Sequence, residues 1–204
     1  NTSVGIGGCK TADEMGLYEL LTAEGNEVFW HWKQTGWEVL EKENAAEVFI
    51  TSANAMTEDG QIINIDGRGN RLAGMVFGKK RVYVVAGVNK ICPDFESAVY
   101  RARNVAAVQN VKRFPGRTPC KFDEKCHDCK SPDRKCNAML VLWGPMMDMQ
   151  KIEVILIDEE LYSEDVRKLK SNNLFILLEN ETGNYPYPVI SKYQSTDELI
   201  KTIF

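Results

Sequence analysis

The 204-residue chain contains no apolar run near the roughly 20 residues that a membrane-spanning helix needs. Its long runs, such as "RVYVVAGV" (81–88), have the length of a strand. It also lacks a basic N-terminal segment followed by an apolar one, so nothing points to export, and a cytoplasmic location is expected. A net charge of −4 gives no global reason for a nucleic acid or an anionic membrane as partner. Only two histidines are present, His31 and His127, so no nucleophile, base and orienting acid can be assembled by inspection. His31 lies in an aromatic stretch and reads as a packed residue. There is no internal repeat and no low-complexity tract. The chain opens at Asn1 without methionine and enters a strand at once, which suggests that residues precede it.

What is present is an alternation of strand and helix patterns. "SVGIGG" (3–8) closes on glycines and leads into a helical pattern ending near Gly25. "EVFWHW" (27–32) and "EVFITSANAMT" (47–57) read as strands, the second with the continuous apolar run of a buried one. A hairpin over 58–66, a glycine-flanked helix over 67–78 and the strand "RVYVVAGVNKI" (81–91) come next. A long helix is expected from Asp94 to Lys112, with Arg101 on its solvated face. "AMLVLWG" and "KIEVILI" are two further strands, and Ser195 reads as the N-cap of a last helix. The order implies an α/β fold with an open, mainly parallel sheet flanked by helices. Residues 1–161 are expected to form one domain, with 162–204 as an extension packed on it.

In such sheets ligands bind beyond the carboxyl ends of the strands. Three strand ends carry suitable groups. Gly7 and Gly8 leave backbone N–H groups free at a helix entry, although they equally suit a plain tight turn. The second end offers Asn54, Thr57, Glu58, Asp66, Gly67, Asn70 and Arg71, or else a solvated hairpin. The third offers Asn89 and Lys90. Together these predict a site for a small anionic ligand, with Glu58 and Lys90 as the candidate catalytic groups.

The block "EVFITSANAMTEDGQIINIDGRGNRLAGMVFGKKRVYVVAGVNKI", with "RARNVAA", "TPC", "CHDCKSPDRKCN" and "KIEVILIDEEL", resembles the lactate-utilisation (LUD) domain family. The resemblance spans about residues 3–161. It implies a fold like that of glucosamine-phosphate isomerase, ribose-phosphate isomerase and the CoA transferases. It also implies a part in oxidising L-lactate to pyruvate beside iron–sulfur or oxidoreductase subunits, with self-association as a further expectation. Methylthioribose-phosphate isomerases of the wider group carry a catalytic carboxylate at a strand end where this chain has Ser52-Ala53-Asn54. An amide cannot take up a proton as a carboxylate does, which argues against that isomerisation. A stand-alone isomerase or acyl or CoA transferase remains the alternative, with Glu58 as nucleophile.

Four of six cysteines, Cys120, Cys126, Cys129 and Cys136, fall in the segment 118–137. Cys126 and Cys129 form a C-x2-C pair, which lets two sulfurs reach one metal from a tight turn. In a reducing compartment such clustering points to metal rather than disulfides, although an emptied site could oxidise. The expected cofactor is an iron–sulfur cluster, whose ligand spacing is tolerant, or else zinc in a structural clip on a non-catalytic binding or regulatory module. No acidic residue occurs between Ser97 and Phe122, while Arg101, Arg103, Lys112, Arg113, Arg117 and Lys121 are all basic. Such surroundings favour thiolates. Cys92 reads as a small buried hydrophobe.

Overall fold

A computed structural model describes residues 2–157, 174–179 and 189–191. The helix expected at Ser195 lies outside them. Its main sheet is built from β1 (Ser3–Ile6), β2 (Glu27–Phe29), β3 (Val48–Thr51), β6 (Arg81–Gly87), β9 (Lys151–Ile157), β10 (Leu174–Glu179) and β11 (Val189–Ser191). Their spatial order is β11-β10-β9-β6-β3-β1-β2, and every adjacent pair is parallel. A smaller sheet holds β4 (Ala55–Thr57), β5 (Ile62–Asp66), β7 (Ile91–Cys92) and β8 (Ala138–Leu142) in the order β7-β4-β5-β8.

The apolar runs explain the central strands. Val48, Ile50, Tyr83, Val85, Ile155 and Ile157 face one side, against Leu17 and Leu21 of α2 (Leu17–Ala23) and Ala12 of α1 (Lys10–Glu14). Their neighbours Phe49, Val82, Val84, Ala86, Val154 and Leu156 face the other side, against Met75 of α4 (Asn70–Val76) and the small sheet. Both faces are therefore covered, as a parallel sheet requires. Each of the Val, Leu, Ile, Phe and Met side chains among them contributes about 1.5–3 kcal/mol on full burial. The outer face of the small sheet packs on Ala98 and Ala102.

Several local expectations change. Residues 47–57 are two strands in two sheets, because the chain turns at Ser52–Asn54. Ladder pairing in β2 stops at Phe29, and Trp30–Lys33 turn away from it. The helix pattern of 10–23 breaks at Gly16, which has φ +64°. Helix α3 (Trp37–Ala45) has no clear apolar pattern in the sequence; it buries Val39, Leu40 and the charged Glu43. The long helix is α5 (Phe95–Arg101), a π-helical turn (102–106) and α6 (Ala107–Val111), with Asp94 capping its start by accepting from the Ser97 N–H at 2.7 Å.

From β1 the chain runs outward to β2, then returns to β3 on the other side of β1. The order reverses between β1 and β3, and in open parallel sheets the carboxyl ends at such a switch point are where ligands bind. Helix α3 closes tightly on β1 beside it: a Cβ on Gly5 would stand 2.0 Å from the Glu43 carbonyl oxygen. Gly5→Ala should therefore lower the unfolding free energy by about 1–3 kcal/mol. A urea midpoint equal to that of the parent protein would disprove this contact.

Candidate functional site

Gly7 and Gly8 succeed β1 at the switch point. The Gly7 N–H donates to Ile50 O at 2.8 Å, which extends the ladder by one step. Both positions are crowded by side chains: a Cβ on Gly7 would meet Arg71 Cγ at 3.0 Å, and one on Gly8 would meet Trp32 Cζ2 at 3.3 Å. The Arg71 stem thus lies over the glycine turn. Its guanidinium is fixed by Nη2 donating to Ile65 O at 2.6 Å and by Asp66, whose carboxylate stands 3.6 Å from Nε. The same carboxylate accepts from the Arg71 and Gly67 backbone N–H groups.

Lys90 ends a 3-10 turn (Val88–Lys90) after β6 and donates from Nζ to Ser52 Oγ at 2.7 Å, beyond the end of β3. Desolvation holds its pKa down to about 8, and the neighbouring Arg101 and Arg71 charges push the same way. The adjacent thiol is Cys9, which burial pushes up; it caps α1, accepting from the Ala12 N–H at 3.4 Å. Arg101, expected in solvent, turns inward instead. Its Nε donates to Asn89 O at 3.0 Å and its Nη1 to Asn54 O, and burial lowers its pKa. Among the described residues, Lys90 and Arg101 have no carboxylate within salt-bridge distance. Three cations, Arg71, Lys90 and Arg101, therefore gather around the strand ends, and among the described residues only Arg71 has an acid.

The other predicted residues take supporting positions. The Asn54 side chain is committed to the hairpin, its Oδ1 accepting from Ile65 N–H at 2.6 Å. Thr57 is buried and its hydroxyl holds the hairpin turn, donating to Asp59 and accepting from Gln61 N–H. Glu58 sits at that turn, with its N–H donating to Cys92 O. Since β4 pairs with β7 in parallel, this is about 10 Å along the strand from Lys90, and the structure does not bring Glu58 to the cations. Asn89 is exposed and contributes its carbonyl to Arg101. Asn70 Nδ2 donates to Glu43 Oε1 at 3.3 Å.

That last bond exposes a network which the sequence does not signal. Glu43 is fully buried and lies 2.6 Å from His31 Nδ1 through Oε2, which also accepts the His31 N–H. His31 is thus a half-buried, oriented imidazole rather than a simple packing residue. Glu43 occupies the inner face of a weakly amphipathic helix, where a lone acid reads as solvent-facing. Trp32 beside it stacks on Trp30 and receives Arg113 at 4.9 Å.

The four clustered cysteines are all free and half-buried. They line one cavity of about 30 Å³ with Arg103, Arg134 and Thr118. Among the described residues, no three His, Cys, Asp or Glu side chains stand together closely enough to hold a metal ion. The cysteine segment is tied to the strand-end block. The Asn137 N–H donates to Asp66 O at 2.9 Å, and Lys135 O would meet a Cβ on Gly67 at 2.7 Å. No described helix is long and apolar enough to cross a membrane.

A family model described as the LUD domain matches residues 1–157. A crystal structure of a DUF162 family protein from Deinococcus radiodurans is similar over 76% of this chain and 85% of its own, at 14% identity and a TM-score of 0.36. A search of curated proteins finds no match.

Lys90 carries a measurable consequence of its position. Between about 8 and its ordinary value of 10.5, the unfolded chain binds its proton and the folded chain does not. Stability from this group therefore rises as pH climbs through that window, and below it the trapped ammonium opposes folding by up to about 3 kcal/mol. Lys90→Met should accordingly be more stable than the parent at pH 7. The advantage should fade between pH 8 and 10.5 in urea titrations, and a pH-independent difference would contradict the assignment.

Proposed function

This chain belongs to the LUD domain family, and from that premise we propose that it serves L-lactate utilisation by holding a small carboxylate at the β1/β3 switch point. The substrate class is that of lactate and pyruvate, and the partners are iron–sulfur or oxidoreductase subunits that carry the electrons. The observation that supports this reading is the convergence of Lys90, Arg71 and Arg101 on strand ends where only Arg71 meets an acid among the described residues. An ammonium kept from water gains most from an anion that enters with it. A bound carboxylate would give the desolvated Lys90 ammonium the countercharge it lacks, and the Ser52 hydroxyl beside Nζ can donate to a substrate oxygen.

The isomerase and transferase alternatives have less support. Asn54, at the strand-end position where the isomerases carry an acid, spends its side chain on the hairpin backbone. Glu58 stands at the far end of β4 from the cations.

Calorimetry with L-lactate, pyruvate and inorganic phosphate tests the reading on the whole chain. We expect the two carboxylates to bind in preference to phosphate. Lys90→Met and Arg71→Ala should each weaken that binding by about 10–100-fold, the value of a charge-assisted hydrogen bond of about 1.5–3 kcal/mol. Binding of phosphate alone, or carboxylate binding indifferent to both substitutions, would sink it.

A further inference from the structure

We propose that Cys120, Cys126, Cys129 and Cys136 jointly bind one thiophilic metal centre, a zinc ion or an iron–sulfur cluster, in the cavity that all four line. Residues 112–137 contain only the four-residue helix α7 (Cys120–Asp123). So long a connection without secondary structure is uncommon in a compact domain unless it carries a function or a clip. It builds no core of its own, since Phe114 and Phe122 are exposed at 43% and 74%. Its cysteines, by contrast, turn away from solvent. All four are half-buried on one cavity, while Lys125, His127, Asp128 and Lys130 between them are exposed.

The interior of the loop is organised around two guanidinium groups. Arg134 donates from Nη1 to Cys129 O at 2.8 Å and from Nε to Cys136 O at 2.9 Å. Arg103, from the π-helical turn, brings Nη2 to 3.9 Å from Cys126 Sγ. Asp128 bridges the two arginines at 3.0 and 3.3 Å. A divalent zinc ion with four thiolates carries a formal double negative charge, as does a [4Fe–4S] core in its usual doubly positive state with four thiolates. Two arginines less one aspartate leave one positive charge facing the sulfurs, which offsets half of that. Hydrogen-bond donors of this kind around sulfur are the outer shell that orients thiolate ligands.

The sulfurs do not yet converge on one point. A cysteine sulfur changes position by rotation about a single side-chain bond between staggered wells, and a metal organises its ligands as it binds. Room does not limit the choice to a single ion. A neighbouring cavity of about 250 Å³ shares Cys126, Cys136, Arg103 and Arg134 with the first. Cys9 and Cys92 are buried in the apolar core, and neither lines these cavities. The proposal stands on the loop alone and is independent of the carboxylate site.

The test uses the full chain prepared without oxygen. Elemental analysis and a visible spectrum come first: a colourless protein with one zinc supports the zinc form, and a brown one with iron and sulfide the cluster form. The metal-free chain is then titrated with cobalt(II). One equivalent should develop the charge-transfer absorption of cobalt–thiolate bonds. Cys126→Ser with Cys129→Ser should abolish that absorption, Cys92→Ala should keep it, and Arg134→Ala should weaken cobalt binding by about 10–100-fold. Iodoacetamide labelling of the unsubstituted protein, read by mass spectrometry, guards against misfolded variants. Metal should protect the four loop cysteines together. Absence of stoichiometric uptake, or equal labelling of these four with and without metal, overturns the proposal.

Discussion

The Asp66 carboxylate is the joint on which the strand-end half of the molecule turns. One oxygen accepts the Arg71 N–H at the start of α4, and the other faces the Arg71 Nε and the Gly67 N–H. Its own carbonyl accepts from Asn137, where the cysteine segment rejoins β8. A single residue thus fixes the small sheet, the helix that covers the main sheet and the arginine laid over the glycine turn. Charge-assisted hydrogen bonds are worth about 1.5–3 kcal/mol each, but their directionality matters more here. Without Asp66, Arg71 would keep only Ile65 O and Asn64 Oδ1, on one side of its guanidinium.

Opposed to that satisfied joint is the unsatisfied group at the strand ends. Lys90 and Arg101 are held by neutral oxygens, a hydroxyl and two carbonyls, and each loses hydration without gaining a countercharge among the described residues. A fold selected only for stability would place an apolar side chain at Lys90. Retaining a desolvated cation lowers stability locally, and what remains is a preorganised positive field at the strand ends. Glu43 shows the contrast within one molecule. It is the more deeply buried group, yet His31, Asn70 and the His31 N–H occupy both of its oxygens.

The sequence carried the fold through its central strands. "VFI", "RVYVVAG" and "KIEVILI" are apolar without alternation because both faces of a parallel sheet are covered, and that signal is local. The glycine turns and Lys90 were legible for the same reason, lying directly after such runs. The passage from β3 to β4 was not, because "EVFITSANAMT" keeps strand composition across the break. What divides it is remote: Asn64 Oδ1 accepts the Asn54 N–H at 2.9 Å, and Asn64 Nδ2 donates to Ser52 O at 3.0 Å from the other arm of the hairpin. Glu43 and Arg101 were hidden differently. A charged residue on a helix reads as solvated unless its partner is known, and their partners lie 12 and 47 residues away.

The helix bearing Arg101 also links the strand ends to the cysteine segment. In regular helical geometry residues two apart project about 200° apart, so Arg101 and Arg103 leave opposite sides of one rod. Arg101 reaches Asn54 and Asn89 at the strand ends, whereas Arg103 reaches Cys126 and Asp128 in the cysteine segment. The π-helical turn begins between them, at Ala102, whose side chain packs against the small sheet. A π turn holds one extra residue, which rotates α6 relative to α5, and such turns recur where a helix must serve a functional site. One helix thus packs Ala98 and Ala102 on the small sheet and still sends Arg101 to the strand ends and Arg103 to the cysteine segment.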